Sequence, residues 1–256
     1  MKEAFHLDQF IIHHITDSNQ WHLPFGPVVH LPGFLTIQKM VLLIAAFLML
    51  LVFCVLYRKN DRVPTGLTNF FEVFILHIRN DLAIEFLGEE DGNRLTPLFL
   101  TFFFLILFVN FLGLIPIFPT TATANVYMTG ALAFVTFIFM TVCGIAKHGI
   151  VNYMKMFVLP GVPGPMLLFL TPLEVLSVFI RAFALMIRLF ANMFAGHIVI
   201  LSILGLVVAI SWWVVVPALG MGIFVSLLEV LVSFLQAYIF TFLSAIFIGQ
   251  IYHPQH

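Results

Sequence analysis

The chain has 256 residues, of which 62% are hydrophobic and only 9% are charged, and its mean hydropathy is +1.11. This composition lies far outside that of soluble domains and indicates a polytopic membrane protein. The formal net charge of −1 and the scattered basic residues give no electrostatic case for nucleic-acid binding. No nucleotide-phosphate loop is present, so the sequence predicts no cofactor.

The first 37 residues contain no long apolar run and predict an arm outside the membrane. They hold five of the ten histidines, whose spacings fit no standard ligand pattern, so we interpret these as surface histidines rather than metal ligands. Residues 40–57 are 18 uncharged residues and predict the first membrane span. The basic sequence RKNDR follows and is typical of a cytoplasmic span end.

Residues 66–87 have a different pattern. Five apolar residues recur at spacings of three and four, while polar and charged residues share the other side; the apolar set is Phe71, Ile75, Ile78, Leu82 and Phe86. This pattern predicts an amphipathic helix that lies on the membrane surface.

A predicted hairpin follows, with spans at residues 98–118 and 127–146. Residues 58–96 carry five Lys or Arg and residues 147–165 carry two, whereas residues 119–126 carry none. The positive-inside rule therefore predicts that the N-terminus lies outside and that residues 58–96 lie inside.

Two longer segments complete the chain, at residues 166–210 and 212–252. Their proline-free stretches of 38 and 35 residues would form helices of roughly 57 and 52 Å, against a hydrocarbon thickness of about 30 Å. We therefore expect two long, strongly tilted helices, with Trp212 and Trp213 at the outer interface. The predicted fold class is an all-α polytopic membrane protein, formed as one membrane domain of upright spans, an interfacial helix and this tilted pair.

Polar residues form a stripe on the first long helix. Glu174, Arg181 and Arg188 fall within about 40° of one another, with Asn192 at the angle of Glu174 and Ser177 beside them. Three charges facing lipid would cost about 7–10 kcal/mol, so this face must meet water or protein. No acidic residue lies three or four positions from Arg188, so its partner must come from elsewhere.

The second long helix repeats the pattern within about 80°, through Gly222, Ser226, Glu229, Ser233 and Gln236. Two polar stripes in apolar helices indicate an ion path. A purely structural network that includes Glu174, Arg181 and the two serines is the alternative. His197 lies about 180° from Arg188, and its spacing alone leaves a channel role and a core role open.

The motifs IRLFANMFAGH and LQAYIFTFLSAIF, with LFVNFLGLIP and ANVYMTGAL upstream, resemble those of subunit a of the F-type ATP synthase. The resemblance covers roughly residues 98–252, with Ala191 where the family usually has glycine. It implies that Arg188 faces the ion-binding carboxylate of a rotating c-ring, with Asn192 and Gln236 beside it.

The resemblance also implies two half-channels. Glu174, Ser177 and Arg181 would line the inner one, and His197 with Glu229 the outer one, with histidine and acid exchanged relative to many bacterial members. The implied protein is a non-catalytic proton-channel subunit in a bacterial plasma membrane, with its C-terminus in the cytoplasm; an organelle inner membrane is the alternative location. Its implied partners are the c-ring, the peripheral-stalk subunit b, the remaining synthase subunits and the lipid bilayer. The alternatives are a self-contained secondary transporter in which Arg188 binds an anion, and an assembly anchor.

Overall fold

The computed structural model describes residues 20–22, 28–30, 32, 36–56, 66–115, 122–158, 163–209 and 215–252. Most of the N-terminal arm lies outside these residues, as do Trp212 and Trp213. A short hairpin precedes the helices, in which β1 (Gln20–His22) pairs antiparallel with β2 (Val28–His30). The rest of the described secondary structure is helical, which confirms the predicted fold class. Strands of three residues are too short to show a detectable alternation in the sequence.

Six long helical elements follow in chain order. They are α1 (Ile37–Leu51, continued by a π-helical segment, Val52–Leu56), α2 (Leu67–His77, continued by a π-helical segment, Ile78–Ile84, and a last turn, Glu85–Leu87), α3 (Glu89–Leu114), α4 (Val126–Lys155), α5 (Gly164–Ala209) and α6 (Val215–Tyr252). Among the described residues, α1, α3, α4 and α6 are long and apolar enough to cross a membrane. The protein is therefore a multi-pass membrane protein.

Two glycines set the boundaries of these helices. Gly88 separates the 67–87 helix from α3 with a φ of 82°, a conformation that residues with a Cβ rarely adopt. Gly149, with a φ of 75°, breaks α4 between residues 148 and 150.

The first turn of α3 holds Glu89, Glu90 and Asp91, which complement the positive end of the helix dipole.

The chain divides into two compact units. Unit 1 consists of Met1–Phe53, Phe104–Met128 and Leu189–Ala237, and unit 2 of Cys54–Phe103, Thr129–Arg188 and Tyr238–His256. The two longest helices, α5 and α6, therefore each contribute one segment to both units.

Unit 1 has an apolar core between α1, the end of α3 and a 3₁₀ turn, Ala122–Ala124. Its buried members are Ile37, Val41, Ala45, Val109, Leu112 and Ala122. Polar side chains join the same elements: the Thr123 hydroxyl donates to Asn110 Oδ1 at 2.7 Å, and the Asn125 amide donates to Gln38 Oε1. These bonds satisfy part of the polar surface that the turn buries.

Aromatic pairs connect several helices of unit 2. The 67–87 helix contacts α3 through Phe74 and Phe103, and it contacts α6 through Phe86 and Phe242, with centroid distances of 5.9 and 5.6 Å. Such pairs contribute about 0.5–1.5 kcal/mol each beyond their area burial. The contacts fix the end of α6 against the 67–87 helix.

The apolar stripe of the 67–87 helix therefore packs against protein. Ile78 and Leu82 are each 1% exposed, whereas Phe70, Val73 and Leu76 are between 42% and 58% exposed. The periodicity identified the buried face correctly, whereas Phe70, Val73 and Leu76 form a second apolar surface that is exposed. The position of this helix on the membrane surface stays a prediction.

The two longest helices are continuous. With 46 and 38 residues, α5 and α6 measure about 69 and 57 Å. The α5 helix includes Pro172 in its interior and begins two residues before the predicted segment. Both helices exceed the hydrocarbon thickness of about 30 Å, which agrees with the length argument, and their tilt stays a prediction.

Candidate functional site

Three polar side chains of α6 are buried in unit 1. Glu229 is 8% exposed, Ser233 0% and Gln236 2%. Their spacings of four and three residues place them on one face of the helix, because an α-helix has 3.6 residues per turn. The predicted stripe is thus buried at these positions, whereas Ser226 is exposed and Gly222 is half-buried.

The facing residues come from α5. Asn192 donates its Nδ2 hydrogen to Gln236 Oε1 at 3.1 Å. Gly196 lies against Glu229, and a Cβ atom on Gly196 would approach Glu229 Oε1 to 2.3 Å. The missing side chain therefore makes the space that the carboxylate occupies. Half-buried His197 is the next residue of α5 after Gly196.

Several buried polar atoms of this group have no hydrogen-bond partner within the described part of the chain. They are Glu229 Oε1 and Oε2, Ser233 Oγ and Gln236 Nε2. Buried polar atoms are almost always paired with protein or ordered water, and unpaired ones are costly. Such atoms are able to hydrogen-bond to water molecules. We call Asn192, Glu229, Ser233 and Gln236 the Glu229 cluster.

A second polar group lies in unit 2, formed by Glu174, Ser177, Arg181 and Gln250. Arg181 Nη1 donates to Gln250 Oε1 at 2.6 Å, and Arg181 Nη2 lies 4.0 Å from Glu174 Oε1. The Ser177 hydroxyl donates to the Glu174 carbonyl oxygen at 2.7 Å. The structure thus brings together the three residues that the sequence predicted to be neighbours. We call this group the Arg181 cluster.

Gln250 was absent from the sequence analysis. It lies 14 residues after Gln236, which places it about 40° from that residue around α6. Continuing the polar stripe to the end of the helix would have found it. Its partner on α5 could not be read from α6 alone.

Arg188 has a different environment from Arg181. Its side chain is exposed, and no acidic residue pairs with it in the described ranges. Three exposed alanines lie within about 60° of it around the helix, at positions 184, 191 and 195. Small residues let a second helix approach closely. This face of α5 thus presents a positive charge among small side chains.

These features define a class, a multi-pass helical membrane protein whose two longest helices carry one buried polar cluster, one partly exposed polar cluster and an exposed arginine. Comparison with known families gives a match to the model described as ATP synthase A chain over residues 39–249. The chain therefore belongs to the ATP synthase subunit a family.

Individual relatives agree with this assignment. The chain is 42% identical over 231 residues to ATP synthase subunit a of Anaeromyxobacter dehalogenans strain 2CP-C, a match that covers 89% of this chain and 59% of the relative. It is 40% identical to the protein of the same name from Chloroherpeton thalassium, over 96% of this chain and 77% of the relative. The corresponding Myxococcus xanthus protein is 39% identical, over 92% and 84%. The chain thus spans only about three fifths of the length of the Anaeromyxobacter relative.

Proposed function

We propose that the chain is the stationary proton-channel subunit of an F-type ATP synthase, which couples proton flow to rotation of a c-ring and to ATP synthesis. The observation that carries this proposal is Arg188, an exposed guanidinium without an acidic partner among the described residues, flanked by alanines on an apolar helix. An uncompensated charge in a membrane segment is costly unless water or a carboxylate meets it. The ring supplies that carboxylate.

The electrostatics fit this role. At an effective dielectric constant near 20, a guanidinium about 4 Å from a carboxylate stabilises its charged form by about 4 kcal/mol. A ring carboxylate that carries its proton through lipid therefore releases it beside Arg188. Because guanidinium stays protonated, Arg188 cannot relay the proton itself. Protons reach the opposite side only when the ring turns.

The two polar clusters supply the half-channels in this proposal. The Glu229 cluster, with His197, forms the outer one, because its unpartnered buried atoms fit a file of water molecules. The Arg181 cluster forms the inner one, where Glu174 provides a titratable group. The subunit is not an enzyme on its own, since the sequence offers no nucleotide-phosphate loop.

The location and partners follow from the same proposal. The chain lies in a bacterial plasma membrane with its N-terminus outside and its C-terminus in the cytoplasm, and it assembles with the c-ring, subunit b and the other synthase subunits. The rival secondary transporter is not favoured, because such proteins place their sites at interrupted helices, whereas α5 and α6 are continuous.

The test is replacement of Arg188. We expect Arg188→Ala to abolish ATP-driven proton pumping in inverted membrane vesicles while the complex still purifies intact. Arg188→Lys should fail or nearly so, because an ammonium reaches differently and loses its proton more readily when desolvated. Near-normal pumping by an assembled Arg188→Ala complex would refute the proposal.

A further inference from the structure

Gln250 makes the shortest polar contact of the Arg181 cluster. The hydrogen bond from Arg181 Nη1 to Gln250 Oε1 measures 2.6 Å and joins α5 to the end of α6. A bond from a charged donor is stronger than one between neutral groups. This hydrogen bond therefore does much to hold the guanidinium in place.

The other contacts of Arg181 are looser. Glu174 Oε1 lies 4.0 Å from Nη2, beyond hydrogen-bond distance, and the Phe247 ring centroid lies 5.6 Å from the guanidinium carbon. The ring distance falls at the outer end of the range for a cation–π contact. Arg181 is thus held by a neutral amide, and the Glu174 carboxylate accepts no hydrogen bond from it.

The backbone on both sides of Gln250 is fixed. Gly249 is buried against Phe86, where a Cβ atom on the glycine would lie 2.7 Å from the Phe86 carbonyl oxygen. On the other side, His148 Nε2 donates to the Ile251 carbonyl oxygen at 3.1 Å. The exposed Gln250 therefore projects from a segment that two other helices hold.

Tyr252 adds a further anchor. Lys147 Nζ lies 4.2 Å from the centroid of its ring and 2.5 Å from Asp91 Oδ2. The ammonium thus connects α3, α4 and the last residue of α6. This contact holds the turn that carries Gln250 in place.

We propose that Gln250 is a positioning residue of the inner half-channel. Its amide oxygen holds the Arg181 guanidinium near Glu174 and prevents the two side chains from forming a close ion pair. This inference rests on the proposed function. It assigns to α6 a role in the inner half-channel that the sequence predicted only for α5.

The experiment compares variants of Gln250 in the assembled complex. Gln250→Leu removes the acceptor at similar volume, and we expect ATP-driven pumping to fall about threefold, within the range for loss of one hydrogen bond and no more than for loss of Arg181 itself. Gln250→Glu keeps an oxygen at the same reach and should pump within about twofold of the parent. Asn80→Leu is the matched control, an exposed amide of unit 2 that should pump normally.

A double-mutant cycle separates positioning from a general structural role. In an Arg181→Ala background, Gln250→Leu should cause no further loss, because the amide then has no guanidinium to hold. If Gln250→Leu fails to assemble, Gln250→Asn replaces it, since the shorter side chain withdraws the acceptor by about one bond length and keeps the polarity. The same lowered flow and the same lack of additivity are expected.

Three results would overturn the inference: normal pumping by the assembled acceptor-deficient variant, an equal loss in the Arg181→Ala background, or failure of Gln250→Glu to outperform Gln250→Leu. These results differ from failure of the proposed function. Normal pumping by Arg188→Ala would remove the channel role itself, whereas normal pumping by Gln250→Leu removes only the positioning role.

Discussion

The two polar clusters of α5 and α6 differ in how their side chains are satisfied. In the Glu229 cluster, both carboxylate oxygens, the serine hydroxyl and the glutamine nitrogen are buried without a partner among the described residues. In the Arg181 cluster, the arginine has a short hydrogen bond, and the side chains of Arg181 and Glu174 are 29% and 38% exposed. The first cluster thus contains buried polar atoms without a protein partner among the described residues, whereas the second is partly exposed and hydrogen-bonded.

This difference indicates which cluster needs a functional rather than a structural explanation. A buried polar group without a partner destabilises the fold, so its presence calls for another reason, such as contact with water during transport. A partly exposed ion pair costs little and contributes only about 0.2–1 kcal/mol. We therefore expect substitution of the Glu229 carboxylate to change proton flow far more than assembly, and substitutions in the Arg181 cluster to have milder effects.

Glu229→Gln should have the largest effect within the two clusters. The amide has the same shape but cannot exchange a proton, so proton flow should fall about 100-fold, as for loss of a general acid or base. Assembly should persist, because the variant removes an unpaired buried charge. Passive proton conduction through vesicles stripped of the catalytic sector measures the flow.

Exchanging His197 and Glu229 gives a more specific test of the role of Glu229. His197→Glu and Glu229→His should each impair flow, and the double exchange should restore part of it if the two groups share titration steps. Conduction by the double variant no greater than the product of the two single effects would show that the residues act independently.

The sequence predicted the members of both clusters better than their surroundings. Helical periodicity placed Glu229, Ser233 and Gln236 on one face, because that relation depends only on local geometry. It could not show that Gly196 makes room for the carboxylate, nor that Gln250 holds Arg181, because both contacts join distant parts of the chain.

The same limit explains the 67–87 helix. Its periodicity identified the face that contains Ile78 and Leu82, but a membrane and a neighbouring helix bury apolar residues alike. The aromatic pairs with α3 and α6 show that protein covers this face. Periodicity therefore predicts that a face is buried and leaves its partner undetermined.

Gly196→Ala tests whether the Glu229 carboxylate needs the space beside Gly196. We expect this variant to have the next largest effect on proton flow. A Cβ atom would lie 2.3 Å from Glu229 Oε1, so the carboxylate must move. It is the end of a flexible side chain, so the complex should assemble, whereas proton flow should fall roughly tenfold, which matches the usual cost of overpacking. Adding Glu229→Asp, which shortens the acid, should recover part of the flow. Unchanged conduction by Gly196→Ala would show that the carboxylate position is unimportant.

Arg181→Ala should be milder. Its ion pair with Glu174 is long and partly exposed, so we expect less than about a fivefold loss of pumping, with assembly intact. The comparison is with Arg188→Ala in the same vesicles. A loss as severe as that of Arg188→Ala would mean that the two arginines have been assigned wrongly.

Ser233→Ala should have the smallest effect and separates the two explanations of the Glu229 cluster. The Ser233 residue is 0% exposed and its hydroxyl has no partner among the described residues, so its removal breaks no hydrogen bond to that part of the protein. The thermal stability of the purified complex should stay equal or rise slightly. Proton flow should fall about twofold if the hydroxyl binds a water molecule of the proton path. Thr123→Val is the matched control, since its hydroxyl donates to Asn110 in unit 1 and its loss should lower stability. A stability loss for Ser233→Ala as large as that for Thr123→Val would indicate that the serine has a structural partner and that the buried row of polar atoms is not a hydrated path.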